Sequence, residues 1–182
     1  MKKFFVLSGS PRPKGNSNQL ADQFIKGAKD AGHEVISINA YQINLKPCLG
    51  CNACWSKGKP CILDDDNELL KEAMFDTDVI VLVSPLYWFG FSGQMKLVID
   101  KLYPFIPKIS PQPSQIKESY LISCCFNAHE SEYDSLRNVY HQMNEYMGWT
   151  SKKELLVNNM VSFGDINKTK YLEEAYQLGY NL

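Results

Sequence analysis

Five branched aliphatic residues follow one another without a polar break in Val79-Ile80-Val81-Leu82-Val83. A strand with one face in water alternates apolar and polar side chains, so an unbroken run of this kind has to be covered on both faces. It therefore belongs in the middle of a parallel sheet that carries helices above and below.

Strand and helix patterns alternate around that run. Phe4 to Leu7 is a short apolar stretch ending at a Gly-Ser-Pro turn, and Leu20, Phe24 and Ala28 then recur every four residues, as on a helix with one face inward. Val35 to Ile38 predicts a second strand, and Asn67 to Phe75 a helix opened by acidic residues that suit the positive end of its dipole. Further on come a helix from Ser92 to Leu102, a strand from Tyr120 to Cys124, and a helix from Tyr133 to Met147 lined by Leu136, Tyr140 and Met143. A strand at Glu154 to Val157 and a helix from about Lys168 to Leu178 complete the series. Alternation of this kind implies a doubly wound α/β sheet whose ligands bind beyond the carboxyl ends of the strands. The functional loops are then those after Leu7, Ile38, Val83 and Cys125.

With 182 residues, 45% hydrophobic and 21% charged, the chain has the length and balance of one soluble domain with a sizeable core. Its formal net charge of −1 and the lack of a basic stripe argue against a nucleic-acid partner. Ser8-Gly9-Ser10-Pro11-Arg12 interrupts the first apolar stretch too early for a signal-peptide core or a membrane span, so a cytoplasmic protein with reduced thiols and no membrane partner is expected. The proline-rich stretch from Pro104 to Pro113 reads as a surface connection.

The loop after the first strand, Ser8 to Asn18, is packed with hydroxyl, amide and glycine residues and leads into a helix. Such donors at a helix N-terminus hold a phosphate without a large positive charge. The loop matches neither G-x-x-x-x-G-K-[ST] nor G-x-G-x-x-G, which leaves a monophosphate cradle; simple helix capping by Ser10 and Asn16 is the alternative. The loop after Val83 runs Ser84-Pro85-Leu86-Tyr87-Trp88-Phe89-Gly90-Phe91, with four aromatic rings at the expected ligand edge. Aromatic walls with exposed backbone N–H groups suit a flat heterocycle, against which stands an ordinary core cluster.

Four cysteines, Cys48, Cys51, Cys54 and Cys61, are spaced C-x2-C-x2-C-x6-C and followed by three aspartates. Thiols this dense in a chain of reducing compartments are metal ligands or redox groups sooner than disulfides. Four suit one cluster or one zinc ion, and free or redox-active thiols remain open; Trp55 beside them shields such a site or marks a partner surface. Cys124 and Cys125 end an apolar run and read as small core hydrophobes. His33, His129 and His141 lie far apart and read as structural or solvent-facing.

Taken in order, Gly9-Ser10-Pro11-Arg12 through Gly15-Asn16-Ser17, the Cys48 to Asp66 segment, and Pro85-Leu86-Tyr87-Trp88 through Lys96 and Asp100-Lys101 resemble the NADPH-dependent FMN reductases of the flavodoxin-like superfamily. Within it the pattern is closest to the iron–sulfur flavoproteins. The resemblance spans roughly the first 125 residues and implies a flavodoxin-like, doubly wound parallel five-stranded sheet with helices on both faces. It implies that Ser10, Asn16, Ser17 and Asn18 hold the FMN phosphate with Arg12 nearby. Pro85, Leu86, Tyr87, Trp88, Phe89 and Gly90 would surround the isoalloxazine, backbone amides toward its edge, with Cys125 to Ala128 closing the site.

The activity implied is an FMN-dependent NAD(P)H oxidoreductase passing electrons to a quinone, a free flavin or a protein acceptor, with the chemistry in the flavin and no catalytic side chain. The alternative is an iron–sulfur flavoprotein electron carrier whose four-iron cluster, 4Fe-4S, sits on Cys48, Cys51, Cys54 and Cys61. A non-catalytic zinc- or ligand-binding regulator is a third possibility. The family also implies a homodimer or higher homo-oligomer, for which Tyr103-Pro104-Phe105-Ile106-Pro107 is the candidate contact, with an ordinary loop packed on its own subunit as the alternative.

Overall fold

The computed structural model describes residues 1–182. Its five strands are β1 (Lys3–Ser8), β2 (Glu34–Asn39), β3 (Val79–Pro85), β4 (Glu118–Cys124) and β5 (Thr150–Val157). The helices are α1 (Asn16–Asp30), α2 (Asn67–Asp76), α3 (Gly93–Asp100), α4 (Asp134–Met147) and α5 (Tyr171–Tyr180). Every neighbouring pair of strands is parallel, in the order β2-β1-β3-β4-β5. The order turns back between β1 and β3, and in such sheets the diverging loops leave a crevice at that switch point.

The branched aliphatic run is β3, all seven of whose residues are buried. Successive side chains point to opposite faces, which splits the interior into two cores. Phe5, Leu7, Ile80, Leu82 and Leu121 face α2, α3 and α4. Phe4, Val6, Val79, Val81 and Ile122 face α1 and α5. On that second side α1 and α5 touch backbone to backbone: a Cβ on Gly27 would lie 2.0 Å from the Tyr176 carbonyl oxygen, and one on Gly179 would lie 2.2 Å from that of Phe24. Only glycine allows this approach.

Element boundaries depart from the sequence expectation where packing overrides pattern. β5 starts at Thr150 rather than Glu154, because its polar first half is an edge strand paired to β4 on one side only. Residues Asp165–Lys168 form a separate 3-10 turn, so α5 begins at Tyr171. The proline stretch is not wholly superficial: Pro104, Phe105 and Ile106 are buried, with Phe105 edge-on to Trp55 and Phe75 at ring-centroid distances of 6.1 and 5.7 Å. The candidate subunit contact at Tyr103–Pro107 is thereby corrected: Phe105 and Ile106 cover their own core, and only Tyr103 and Pro107 are exposed. No helix is long and apolar enough to cross a membrane.

Candidate functional site

A pocket of about 290 Å³ opens at the carboxyl edge of the sheet, over the switch point. Four loops wall it: Ser10, Arg12, Asn16 and Ser17 after β1; Pro85, Leu86 and Tyr87 after β3; Cys124, Cys125 and Phe126 at the end of β4; Met160, Val161 and Phe163 after β5.

The β1 wall is a cluster of donors. Gly15 precedes α1 without a side-chain cap, and the first turn of α1 holds no acidic residue. The backbone N–H groups of Asn16, Ser17 and Asn18 have no backbone acceptor, leaving the positive end of the helix dipole open. Ser10 and Ser17 are buried hydroxyls beside it, and Arg12 is an exposed cation on the same wall. No carboxylate lines the pocket, so the donor set fits a phosphate.

The amides of this loop divide the labour in a way the sequence does not show. Asn18 Nδ2 donates to the Arg12 carbonyl at 2.8 Å and the Ser10 carbonyl at 3.4 Å, which fixes the shape of the cradle from beneath. Asn16 ties α1 to the β5 wall: its Nδ2 donates to the Ser162 carbonyl and its Oδ1 accepts from the Gly164 N–H, both at 3.0 Å. Asn18 itself lies behind the lining.

The β3 wall ends in a two-residue hairpin. Tyr87 and Gly90 exchange N–H···O bonds of 3.0 and 3.1 Å, while Trp88 and Phe89 both sit at positive φ, 49° and 63°. This pattern favours Asn and Gly, so two aromatic residues there are strained, by an amount on the order of 1 kcal/mol each. The turn consumes the amides of Tyr87 and Gly90 but leaves those of Trp88 and Phe89 without a backbone partner. Trp88 is 95% exposed, and Trp88, Phe89 and Gly90 stand outside the pocket lining.

Buried serines lock the loops together, a role no motif in the sequence announces. Ser123 Oγ donates to the Ser84 carbonyl at 2.8 Å, Ser84 Oγ accepts from the Ser92 N–H at 3.1 Å, and Ser92 Oγ donates to the Gly9 carbonyl at 2.6 Å. The β1, β3 and β4 loops thus share one hydrogen-bonded base. Cys124 and Cys125 are buried, as expected for core thiols, but they also form pocket floor. Burial pushes the Cys124 thiol up to about 12, against the opposing pull of the adjacent Ser17 hydroxyl and N–H. The wall at Met160 to Phe163 was not anticipated from sequence; Met160 N–H donates to the Cys125 carbonyl at 2.9 Å and so follows the β4 loop.

The four spaced cysteines lie elsewhere, around a mainly apolar cavity of about 510 Å³ that they share with the end of α3 and the last turn of α4. All six cysteines are unpaired. Two aspartates close the base of the cysteine loop: Asp66 accepts from the Asn44 N–H at 2.7 Å and Asp65 from the Lys46 N–H at 3.0 Å. Trp55 is an anchor for the loop, not a free surface, since its Nε1 donates to the Pro104 carbonyl at 2.7 Å. Asp65 also pairs with Lys101 at 2.8 Å, both side chains almost wholly buried, and the Lys101 ammonium donates to Cys61 Sγ at 3.3 Å. Burial alone would lower the lysine pKa, but the bonds to Asp65 and Cys61 outweigh it and hold the ammonium above its usual value.

No group of three or more His, Cys, Asp or Glu side chains is gathered to hold a metal ion. Four thiols on one cavity, three of them within seven residues, nevertheless make the donor set that a four-iron cluster uses.

The sequence profile of the NADPH-dependent FMN reductases matches residues 2–148. The chain belongs to that family. Its name gives FMN as the flavin and NADPH as the reductant. An iron–sulfur flavoprotein of Methanocaldococcus jannaschii is 40% identical over 102 residues, 56% of this chain and 52% of that one. A Bacillus subtilis protein assigned by its name to the NAD(P)H-dependent FMN-containing oxidoreductases is 30% identical over 126 residues, 66% of this chain and 65% of its own. The chain thus spans about half to two thirds of the length of these relatives. Among solved structures, an NAD(P)H:quinone oxidoreductase from Methanothermobacter marburgensis superposes with a TM-score of 0.81 at 18% identity, covering 99% of this chain and 96% of that one. At that identity the match speaks to the fold, which is flavodoxin-like.

Proposed function

We propose that the chain is an FMN-dependent NAD(P)H oxidoreductase that delivers electrons to a quinone, a free flavin or a similar acceptor. One observation carries this: a donor cluster without carboxylates at the start of α1 faces, across one pocket, Pro85, Leu86 and Tyr87, the residues that lead into a strained aromatic turn with two amides lacking backbone partners. When bound, FMN supplies hydride acceptance and electron transfer. The chain's part is to hold it. Ser10, Ser17 and the first N–H groups of α1, with Arg12, grip the phosphate; Pro85, Leu86 and Tyr87 border the ring; Trp88 and Phe89 offer amide donors to its edge. Asn16, Asn18 and Gly90 act through the loops they shape.

A homodimer belongs to the same proposal, supported by exposed apolar side chains, Phe126 at 64% and Phe163 at 62% in the pocket lining and Trp88 at 95% in the turn that follows Tyr87. Light scattering on wild type and Trp88→Ser tests it, and a monomeric wild type removes it.

The experiment is a visible spectrum of freshly purified protein, followed by NADH and NADPH oxidation with a quinone acceptor. Flavin bands and acceptor-dependent oxidation are expected. A folded, colourless protein that takes up no FMN on titration overturns the proposal.

The second reading is an electron carrier with FMN and a four-iron cluster. The shared cavity of the four thiols favours it, together with the name of the Methanocaldococcus relative. Iron analysis of protein purified without oxygen separates the two: about four irons per chain are expected for the carrier.

A further inference from the structure

We propose that Lys101, locked by Asp65, is a positioning residue that gives the cysteine cavity a built-in N–H···S donor at Cys61 and so raises the reduction potential of a four-iron cluster held there. It rests on the second reading of the four thiols.

The pair is placed independently of anything in the cavity. The Asp65 carboxylate is already satisfied by the Lys46 N–H at 3.0 Å and the Asn67 N–H at 3.3 Å, so it presents a fixed oxygen to Lys101 at 2.8 Å. Lys101 is the C-cap residue that follows Asp100 at the end of α3, where the negative end of the helix dipole also favours a cation. Side-chain exposures of 2% and 0% mean that neither charge relaxes into water. A buried ion pair is weak evidence for stability, because apolar residues of similar volume commonly replace it without loss. What this pair does that a Leu–Met pair would not is aim an ammonium at one of four thiols.

Among those thiols the bond is selective. Cys48 accepts from the Gly50 backbone N–H at 3.5 Å, and Cys61 accepts from Lys101 at 3.3 Å; Cys51 and Cys54 receive neither. A four-iron cluster with four thiolates is anionic and gains negative charge on reduction. Donors to its sulfurs and nearby positive charge stabilise the reduced form, raising the potential. The placement also joins the two sites: α3 begins beside the flavin pocket at Ser92, which bonds Gly9, and ends on the cysteine cavity. Its eight residues span about 12 Å.

The test uses the full chain, loaded with FMN and reconstituted without oxygen with iron and sulfide, as wild type, Lys101→Met, Lys101→Gln and Lys101→Arg. Iron content and visible spectrum are measured first, then the cluster midpoint potential by an EPR-monitored redox titration. Equal iron in all four is expected, with the potential lowered in Lys101→Met, lowered less in Lys101→Gln and near wild type in Lys101→Arg. An unchanged potential in Lys101→Met overturns the proposal. So does loss of iron from both neutral variants while they stay folded, since Lys101 would then only support the loop. A wild type that keeps its flavin bands but takes up no iron overturns it together with the cluster reading, and leaves the FMN reductase intact. Should Lys101→Met fail to fold, Lys101→Gln against Lys101→Arg decides on the same criterion.

Discussion

The Ser92 hydroxyl donates to the Gly9 carbonyl at 2.6 Å while accepting from the Met95 N–H at 3.3 Å, so one buried side chain caps α3 and pins the loop after β1. The fit is close: a Cβ on Gly9 would fall 2.7 Å from Ser92 Oγ. Ser92→Ala removes a helix cap and strands a buried carbonyl, and is expected to cost about 2–3 kcal/mol. Urea unfolding measures this. A loss below about 0.5 kcal/mol would mean that the loop and α3 are held by other contacts.

Asn16→Ala releases the β5 wall from the start of α1, because the bonds to Ser162 and Gly164 go together. FMN affinity is expected to fall roughly tenfold, equivalent to about 1.4 kcal/mol. Flavin fluorescence titration reads the change. Unaltered affinity would show that Met160 to Phe163 does not contribute to flavin binding.

Gly27→Ala and Gly179→Ala each force a methyl group into a facing carbonyl, at 2.0 and 2.2 Å before relaxation. Separating α1 from α5 is expected to cost about 2–3 kcal/mol in either variant, read as a lowered thermal midpoint. A variant as stable as wild type would show that the helices do not meet so closely.

How much of this was legible in the sequence follows from where the information lies. β3 could be read because five branched residues in a row admit one environment, and the donor character of the loop after β1 because its residue types are donors wherever they stand. The β5 wall could not be read: nothing local to Met160 says that a segment after an edge strand folds over α1, and the tie that brings it there is Asn16, 146 residues away from Ser162. The Tyr103–Pro107 stretch misled for a related reason. Its prolines suggest a surface, while Phe105 is buried by Trp55 and Phe75, partners that sequence spacing does not reveal. Lys101 shows the same limit, being an ordinary charge until the fold sets it against Asp65 and Cys61.

The six thiols separate by environment. Cys48 and Cys51 are exposed, Cys54 and Cys61 half-buried, Cys124 and Cys125 buried. With the Cys124 thiol at about 12, its thiolate fraction at pH 8 is roughly one in ten thousand. Alkylation of chelator-treated protein, followed by peptide mass spectrometry, is expected to label Cys48 and Cys51 first and Cys124 only after unfolding. Early labelling of Cys124 would show that the pocket floor opens in the native state.

Glu118, the first residue of β4, bridges two cations: its carboxylate meets Lys2, just before β1, at 2.7 Å and Lys152 of β5 at 3.3 Å. The bond to Lys2 is the main cause that holds its pKa below the usual glutamate value, with burial opposing and Lys152 assisting. A carboxylate whose folded pKa is depressed stabilises the fold fully above its unfolded pKa, and that contribution fades as pH falls through the lower, folded one. Glu118→Gln is therefore expected to lower stability at pH 7 by about 0.5–1 kcal/mol, the modest figure reflecting partial exposure and screening. The deficit should shrink as the pH is taken below the usual glutamate range, because the wild type protonates the same group. Thermal unfolding of both proteins at pH 7 and pH 3.5 makes the comparison, and a deficit that stays constant with pH would assign the effect to lost packing instead of lost charge.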